Sequence, residues 1–170
     1  MGYTITGLEK VMANLQKQIK GIEIRSIKGL VETSILIRRE TETTPPLTPV
    51  DLGNLRASYF TVTTAGTVPV ADTGTFRNKP GKSGKSENRA AKLQADHGRV
   101  ISESQALARS KKQKAVVVFG YSANYAMAVH EKIAAENFKK PGSGPKWFEA
   151  AIKRNKSQIV QLIKRNAKIK

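Results

Sequence analysis

The chain has 170 residues, enough to bury a core, and carries thirty Lys and Arg against thirteen Asp and Glu, a net charge of +17. It has no cysteine, which excludes disulfide scaffolds, thiolate metal sites and cysteine nucleophiles and fits assembly in a reducing cytoplasm. No run of about 18 apolar residues is present to cross a membrane, and the start of the chain lacks the basic and apolar stretches of a secretory signal.

A surplus of this size calls for a polyanionic neighbour, either nucleic acid or an acidic protein surface. Only 6% of the residues are aromatic, so phosphate contacts are expected ahead of base stacking. The apolar fraction of 39% is below the globular average and suggests that part of the chain stays unpacked.

Leu8, Val11, Met12, Leu15, Ile19 and Ile22 recur at helical spacing, and Ile27, Leu30, Val31 and Ile35 continue it toward Thr44. The pattern predicts two consecutive helices, or one long helix bent near Gly21, each burying one face. Pro45, Pro46 and Pro49 end the helix, because proline lacks an amide donor and pushes its predecessor out of the helical region. Residues 48–59 then read as a compact hinge from helix to strand. Asp51 can accept a bond from an amide two or three residues on, Gly53 can take a positive φ, and Arg56 stands where the strand begins.

Residues 57–68 alternate as a two-faced strand, with Ser58, Phe60 and Val62 on one side and Tyr59, Thr61 and Thr63 on the other. Residues 69–113 are basic and poor in large apolar side chains. They are expected to form a mobile arm, deletion of 75–112 leaving the fold intact, with at most a weak helix over 86–95 and local packing over 101–107. Lys79, Lys82, Lys85 and Arg89 on this arm are candidate contacts to DNA or a partner. Residues 115–119 are apolar on both faces and predict a central, doubly covered strand. Gly120 then allows a turn, and Tyr125, Ala128 and Val129 suggest a short helix. Residues 139–145 read as a second flexible stretch, with Pro145 as the first residue of one last helix. That helix is expected to bury Phe148, Ala151, Ile152, Ile159, Leu162 and Ile163. Its opposite face carries Lys153, Arg154, Lys156, Lys164 and Arg165, further candidate contacts whose mutual repulsion an anionic partner would relieve.

No catalytic or metal constellation is legible. His97 and His130 lie far apart, His130-Glu131 lacks further ligands for zinc, and Asp96-His97 lacks the carboxylates of a metal nuclease. Gly81 to Ser86 lacks the first glycine and the strand-to-helix setting of a phosphate-binding loop. No cofactor is expected.

Three separated segments, in order, resemble the tailed-phage family of head-to-tail joining, or tail completion, proteins. The first is the hinge, Pro49, Asp51, Gly53, Leu55, Arg56 and Ser58. The second is residues 116–120 ending at Gly120, followed by Tyr125, Ala126, Val129, His130 and Glu131. The third is Pro145-Lys146-Trp147-Phe148 with Ala151. Lys132 stands where the family commonly has glycine, and the inter-strand insertion is longer than the pattern. The resemblance implies a single α+β domain over residues 1–170, with N-terminal helices and a C-terminal helix packed on a small, mainly antiparallel sheet and 69–113 as a basic insertion. It further implies a non-enzymatic virion protein of the neck or tail end, assembled in the host cytoplasm as a ring of its own copies. Its neighbours would be the connector or stopper, the tail-tube or terminator proteins and channel DNA. The hinge residues would shape the fold, with Arg56 clamping to Glu131. The alternative is a stand-alone basic nucleic-acid-binding protein.

Overall fold

The computed structural model describes residues 7–70, 73–78, 88–111, 115–131 and 138–168. The fold is α+β, as expected, with helices packed around a two-stranded antiparallel sheet. In chain order the elements are α1 (Leu8–Thr43), α2 (Asn54–Ala57), β1 (Tyr59–Thr63), α3 (Arg89–Ser110), β2 (Val117–Tyr121), α4 (Ala126–Glu131), α5 (Trp147–Arg154) and α6 (Lys156–Ala167).

α1 is one continuous helix of 36 residues, about 54 Å long at 1.5 Å per residue. It runs through Gly21 without ending. Its C-terminal half packs on the body and buries Gly29, Thr33, Ser34, Ile37, Arg38 and Thr41. The N-terminal turns bury nothing: every residue from Gly7 to Lys20 is exposed. The expected buried face is therefore absent from the first half, and in the second half the buried residues are not the expected stripe: Ile27, Leu30 and Val31 are half-buried and Ile35 is exposed. After Thr43 the chain turns extended at Thr44, and Thr48 returns to the helix end, its amide and hydroxyl both donating to the Thr41 carbonyl at 2.7 and 3.1 Å.

The hinge contains one helical turn, α2, before the strand. Gly53 precedes it at φ 82, in the left-handed region that glycine enters without steric penalty. Arg56 lies inside α2 and not at the strand start. Asn54 fixes the returning chain, accepting from the Arg77 amide and donating to the Arg77 carbonyl, each at 2.8 Å.

β1 pairs with β2 in the register Tyr59↔Tyr121 to Thr63↔Val117. Cross-strand partners share a face, so the two tyrosines stand side by side. Their rings meet edge to face at 5.3 Å. The Tyr59 hydroxyl donates to the Ser34 carbonyl of α1 at 2.6 Å, and the Tyr121 hydroxyl lies 3.0 Å from both Thr41 and Thr48 hydroxyls. β1 is buried along its whole length, with α1 and α3 both packed against the sheet. β2 is only half-buried and, in a sheet of two strands, is not the central strand that the sequence predicts. Gly120 sits within β2 opposite Phe60, and no turn occurs there.

The segment 69–113 departs most from expectation. Residues 79–87, including Lys79, Lys82 and Lys85, lie outside the described residues. Residues 89–110 form α3, a 22-residue helix that packs on both strands and buries Leu93, His97 and Ala108. The second half of the segment is therefore part of the body. A helix whose buried positions are a leucine, a histidine and an alanine shows little apolar periodicity, which is why the sequence reads as an arm.

Residues 139–145 are likewise pinned. The Leu47 amide donates to the Gly142 carbonyl at 2.8 Å, and the Lys146 amide to the His130 carbonyl at 2.8 Å. The last helix starts at Trp147, two residues after Pro145, and Lys146 precedes it with φ 57. It is also two helices, α5 and α6, separated at Asn155, whose side-chain amide donates to the Ala151 carbonyl at 2.9 Å. Trp147, 1% exposed, takes the core position that the sequence assigned to Ile152, which is exposed. The apolar core gathers Leu55, Leu93, Ala123, Ala126 and Trp147, with Tyr121, Tyr125, Val129 and Phe148 packed around it.

An added Cβ at Gly53 would meet nothing within 4 Å, so the backbone angle alone restricts the position. Gly53→Ala and Gly53→Val are expected to cost about 1–3 kcal/mol each, and Gly53→Asn less, since asparagine tolerates this region. Thermal melts check the order; a neutral Gly53→Ala would contradict the left-handed geometry.

Candidate nucleic-acid and partner interface

The three segments that carry the family resemblance come together in space. From the hinge, Pro49 and Ser58 are buried and Leu55 enters the core. From the second segment, Ala126 is buried while Tyr125 and Val129 pack on the same cluster. From the third, Phe148 meets Phe119 at 6.0 Å and Tyr121 at 5.8 Å. Glu131 is exposed. It bonds Lys146 and, at 2.8 Å, the His130 ring, and the Lys146 contact chiefly holds its carboxyl below the usual range.

Arg56 does not reach Glu131. Its Nη2 donates to Glu42 at 2.8 Å, and Glu42 also binds Arg38, whose Nη1 donates to the Arg56 carbonyl at 2.9 Å. One carboxylate of α1 thus holds two arginines and ties α2 to the long helix. Arg38 further stands over the Tyr59 ring at 5.0 Å. Asp51 is paired with Lys139.

A cleft of about 270 Å³ opens beside the hinge, lined by Pro49, Asp51, Leu55, Arg89, Tyr125 and Lys139 among others. Arg89 opens α3 and lies over the Tyr125 ring at 5.8 Å. A second depression, of about 600 Å³, borders the same loop and is lined by Gly53, Arg56, Thr75 and Arg77 among others. Lys92 joins Arg89 and Tyr125 at a third depression. Basic side chains therefore ring the hinge loop, and the sequence signalled only Arg56 and Arg89 of them.

The candidate contacts of the last helices divide in two. Arg154 is a structural clamp: it donates to the Pro45 carbonyl at 3.0 Å and the Thr44 carbonyl at 3.3 Å, and lies 3.4 Å from Glu40. Lys153 pairs with Glu149 at 2.5 Å and Arg165 with Glu32 at 3.1 Å. Lys156 and Lys164 are exposed and carry no ion pair among the described residues. They are the side chains of α6 best placed for phosphate.

His97 and Ser122 form a buried pair at 2.7 Å, with Phe76 edge-on to the imidazole at 5.5 Å. The pair joins α3 to the turn after β2. Among the described residues no group of three or more acidic or histidine side chains is placed to hold a metal ion, and no helix is long and apolar enough to cross a membrane.

Comparison with known protein families, with characterised proteins and with solved structures gave no match to this chain.

Replacing Lys156 and Lys164 with glutamine is expected to reduce the salt slope of duplex-DNA binding by about two, at about one per phosphate contact. The melting temperature should not change, whereas Arg154→Gln should lower stability by about 1 kcal/mol through its lost carbonyl bonds. An unchanged slope in the double variant would remove α6 from any DNA contact.

Burial holds the His97 pKa below its ordinary 6.5. The unfolded chain therefore takes up this proton first as pH falls. The associated stability is complete above about 6.5 and is lost as pH drops from there through the folded value. Melts across this window should show a decline that His97→Gln flattens; equal slopes in the two proteins would contradict it.

Proposed function

We propose that this chain is a structural subunit of the neck, or head-proximal tail end, of a tailed-phage particle, working as a ring of like subunits and catalysing no reaction. The observation that carries the reading is the convergence of the three resembling segments. Residues 49–58, 120–131 and 145–151 are far apart in the chain, yet they build one corner of the body. Leu55, Ala126 and Trp147 share its core. Motif residues joined in space behave as one signature, where each alone would be weak.

The charge suits the same role. A subunit of +17 repeated around a ring presents a strongly positive channel, and modest phosphate contacts on each copy add. Arg77, Arg89, Lys92, Lys156 and Lys164 are the side chains proposed to face DNA or the acidic surface of a connector, stopper, tail-tube or terminator protein. The subunit would assemble in the host cytoplasm and remain in the virion.

The second reading, a stand-alone nucleic-acid-binding protein, is favoured by the unpaired Lys156 and Lys164 alone. Mass spectrometry of purified particles separates the two. The neck reading expects the chain in complete virions at a stoichiometric, ring-like copy number, and expects separate heads and tails when its gene is disrupted. Its absence from particles, with salt-sensitive DNA binding by the isolated chain, would favour the alternative.

A further inference from the structure

α1 carries an apolar stripe that none of the described residues of the body covers. Leu8, Val11, Met12, Leu15 and Ile19 are between 45 and 62% exposed. Leu8, Met12, Leu15, Ile19 and Ile22 alternate four and three residues apart, the spacing of a helix-packing seam. The seam does not stop at Ile22. At 100° per residue, Gly29, Thr33 and Ile37 fall in the same sector, and there α6 and the sheet bury it. One face of α1 is therefore a packing surface from end to end, and the fold supplies a partner for only half of it.

Charge selects the missing partner. The chain is strongly basic, yet the basic residues of these turns avoid the stripe. Lys10, Lys17 and Lys20 stand roughly 120–180° around the helix from Leu8. The flanks are Glu9 and Gln16 on one side and Asn14 and Gln18 on the other. DNA or an acidic protein would be drawn to the lysine face and away from this one. Another strongly positive molecule could approach here with least repulsion. Extent points the same way: Ile24 and Ile35 stand three turns apart on the opposite side of α1, and Leu107, Met127, Ile152 and Val160 are exposed singly on four other elements. Among the described residues, the apolar surface that matches the stripe in length is the same stripe on another copy.

We infer that α1 is a self-association helix whose residues 8–22 pair with residues 8–22 of a second copy. The largest apolar patch of a typical monomer is about 300–600 Å² and is often functional. Two of that size facing each other reach roughly 1,000 Å², the lower bound of specific interfaces. The contact is isologous and closes on itself. By itself it gives a dimer, and a ring would need a second contact. The inference rests on α1 and not on the neck reading: a dimer that never enters a virion would leave it standing.

The test is sedimentation of the full chain beside the Leu15→Glu/Ile19→Glu variant. The native chain should dimerise, and the variant should associate at least about tenfold more weakly, as expected for charge placed at the centre of an interface. Its circular dichroism spectrum should keep the native helical content, and its melt should match that of the native chain diluted to monomer, because both positions are exposed in the single chain. The absence of native cysteine makes Leu15→Cys a clean second probe: Leu15 is the midpoint of the stripe, so oxidation should link two copies in either helix orientation. A native chain that stays monomeric at its highest soluble concentration would overturn the inference. So would a variant that self-associates as well as the native chain.

Discussion

The structure depends on a sheet too small to stand alone. Two strands of five residues bury too little to persist in water, and here α1 holds them through two phenols. Tyr59 and Tyr121, adjacent across the ladder, pass their hydroxyls to Ser34, Thr41 and Thr48. Burial pushes both phenols above their ordinary ionisation range, so they stay neutral and keep their hydroxyl protons. A slip of one residue in either strand would send one tyrosine to the opposite face and leave buried polar groups on α1 unpaired. The register of the sheet and its seat on α1 are thus one constraint, and the hinge serves it. Thr48 closes the end of α1, Gly53 reverses the chain, and Glu42 fixes Arg56 so that Tyr59 arrives opposite Ser34.

The same helix organises the charge. Few carboxylates are present, and several of those on α1 are spent on structure. Glu42 binds Arg38 and Arg56, Glu40 meets Arg154, and Glu32 accepts from Arg165 and Asn166. α6 is fastened near both ends by these contacts and approaches closely at Gly29, where an added Cβ would come within 3.2 Å of the Ile163 Cα. Arg38, Arg56, Arg154 and Arg165 are consequently neutralised in place. Exposed basic side chains remain on the outer face of α6, around the hinge loop and on the first half of α1 at Lys10, Lys17 and Lys20.

Much of this was legible in the sequence, and the misses have physical causes. The α+β class, the end of α1 at the prolines, the left-handed Gly53 and the short helix after Tyr125 each follow from local rules of backbone and periodicity. Partner choice does not. Arg56 had several carboxylates to choose from, and Glu42 was selected because α1 runs past α2. α3 was missed because it buries His97 and Ala108 in place of a leucine row. The break at Asn155 was missed because its cause is a side chain bonding one turn back, which periodicity does not register. Trp147, the chain's only tryptophan, was the available signal for the core near Pro145.

Periodicity also reports that a helix has an apolar face without saying what covers it. In α1 one sector of the helix is bare in the first half and covered in the second, where it holds Gly29, Thr33 and Ile37 and not the apolar stripe Ile27, Leu30, Val31 and Ile35 that the sequence offers. The structural difference is the reach of α6, whose last turn packs beside Gly29. Beyond that point the helix continues with large apolar residues on the seam, where the covered part uses Gly29 and Thr33. Small residues suit the close approach of a helix already tethered by the chain. Large ones suit an untethered partner, whose association must repay lost translational freedom with more buried surface. The two halves of α1 are therefore built for two kinds of packing. By turning Lys10, Lys17 and Lys20 away from the seam, the chain lets two strongly positive molecules meet while their basic faces remain outward, available to a polyanion.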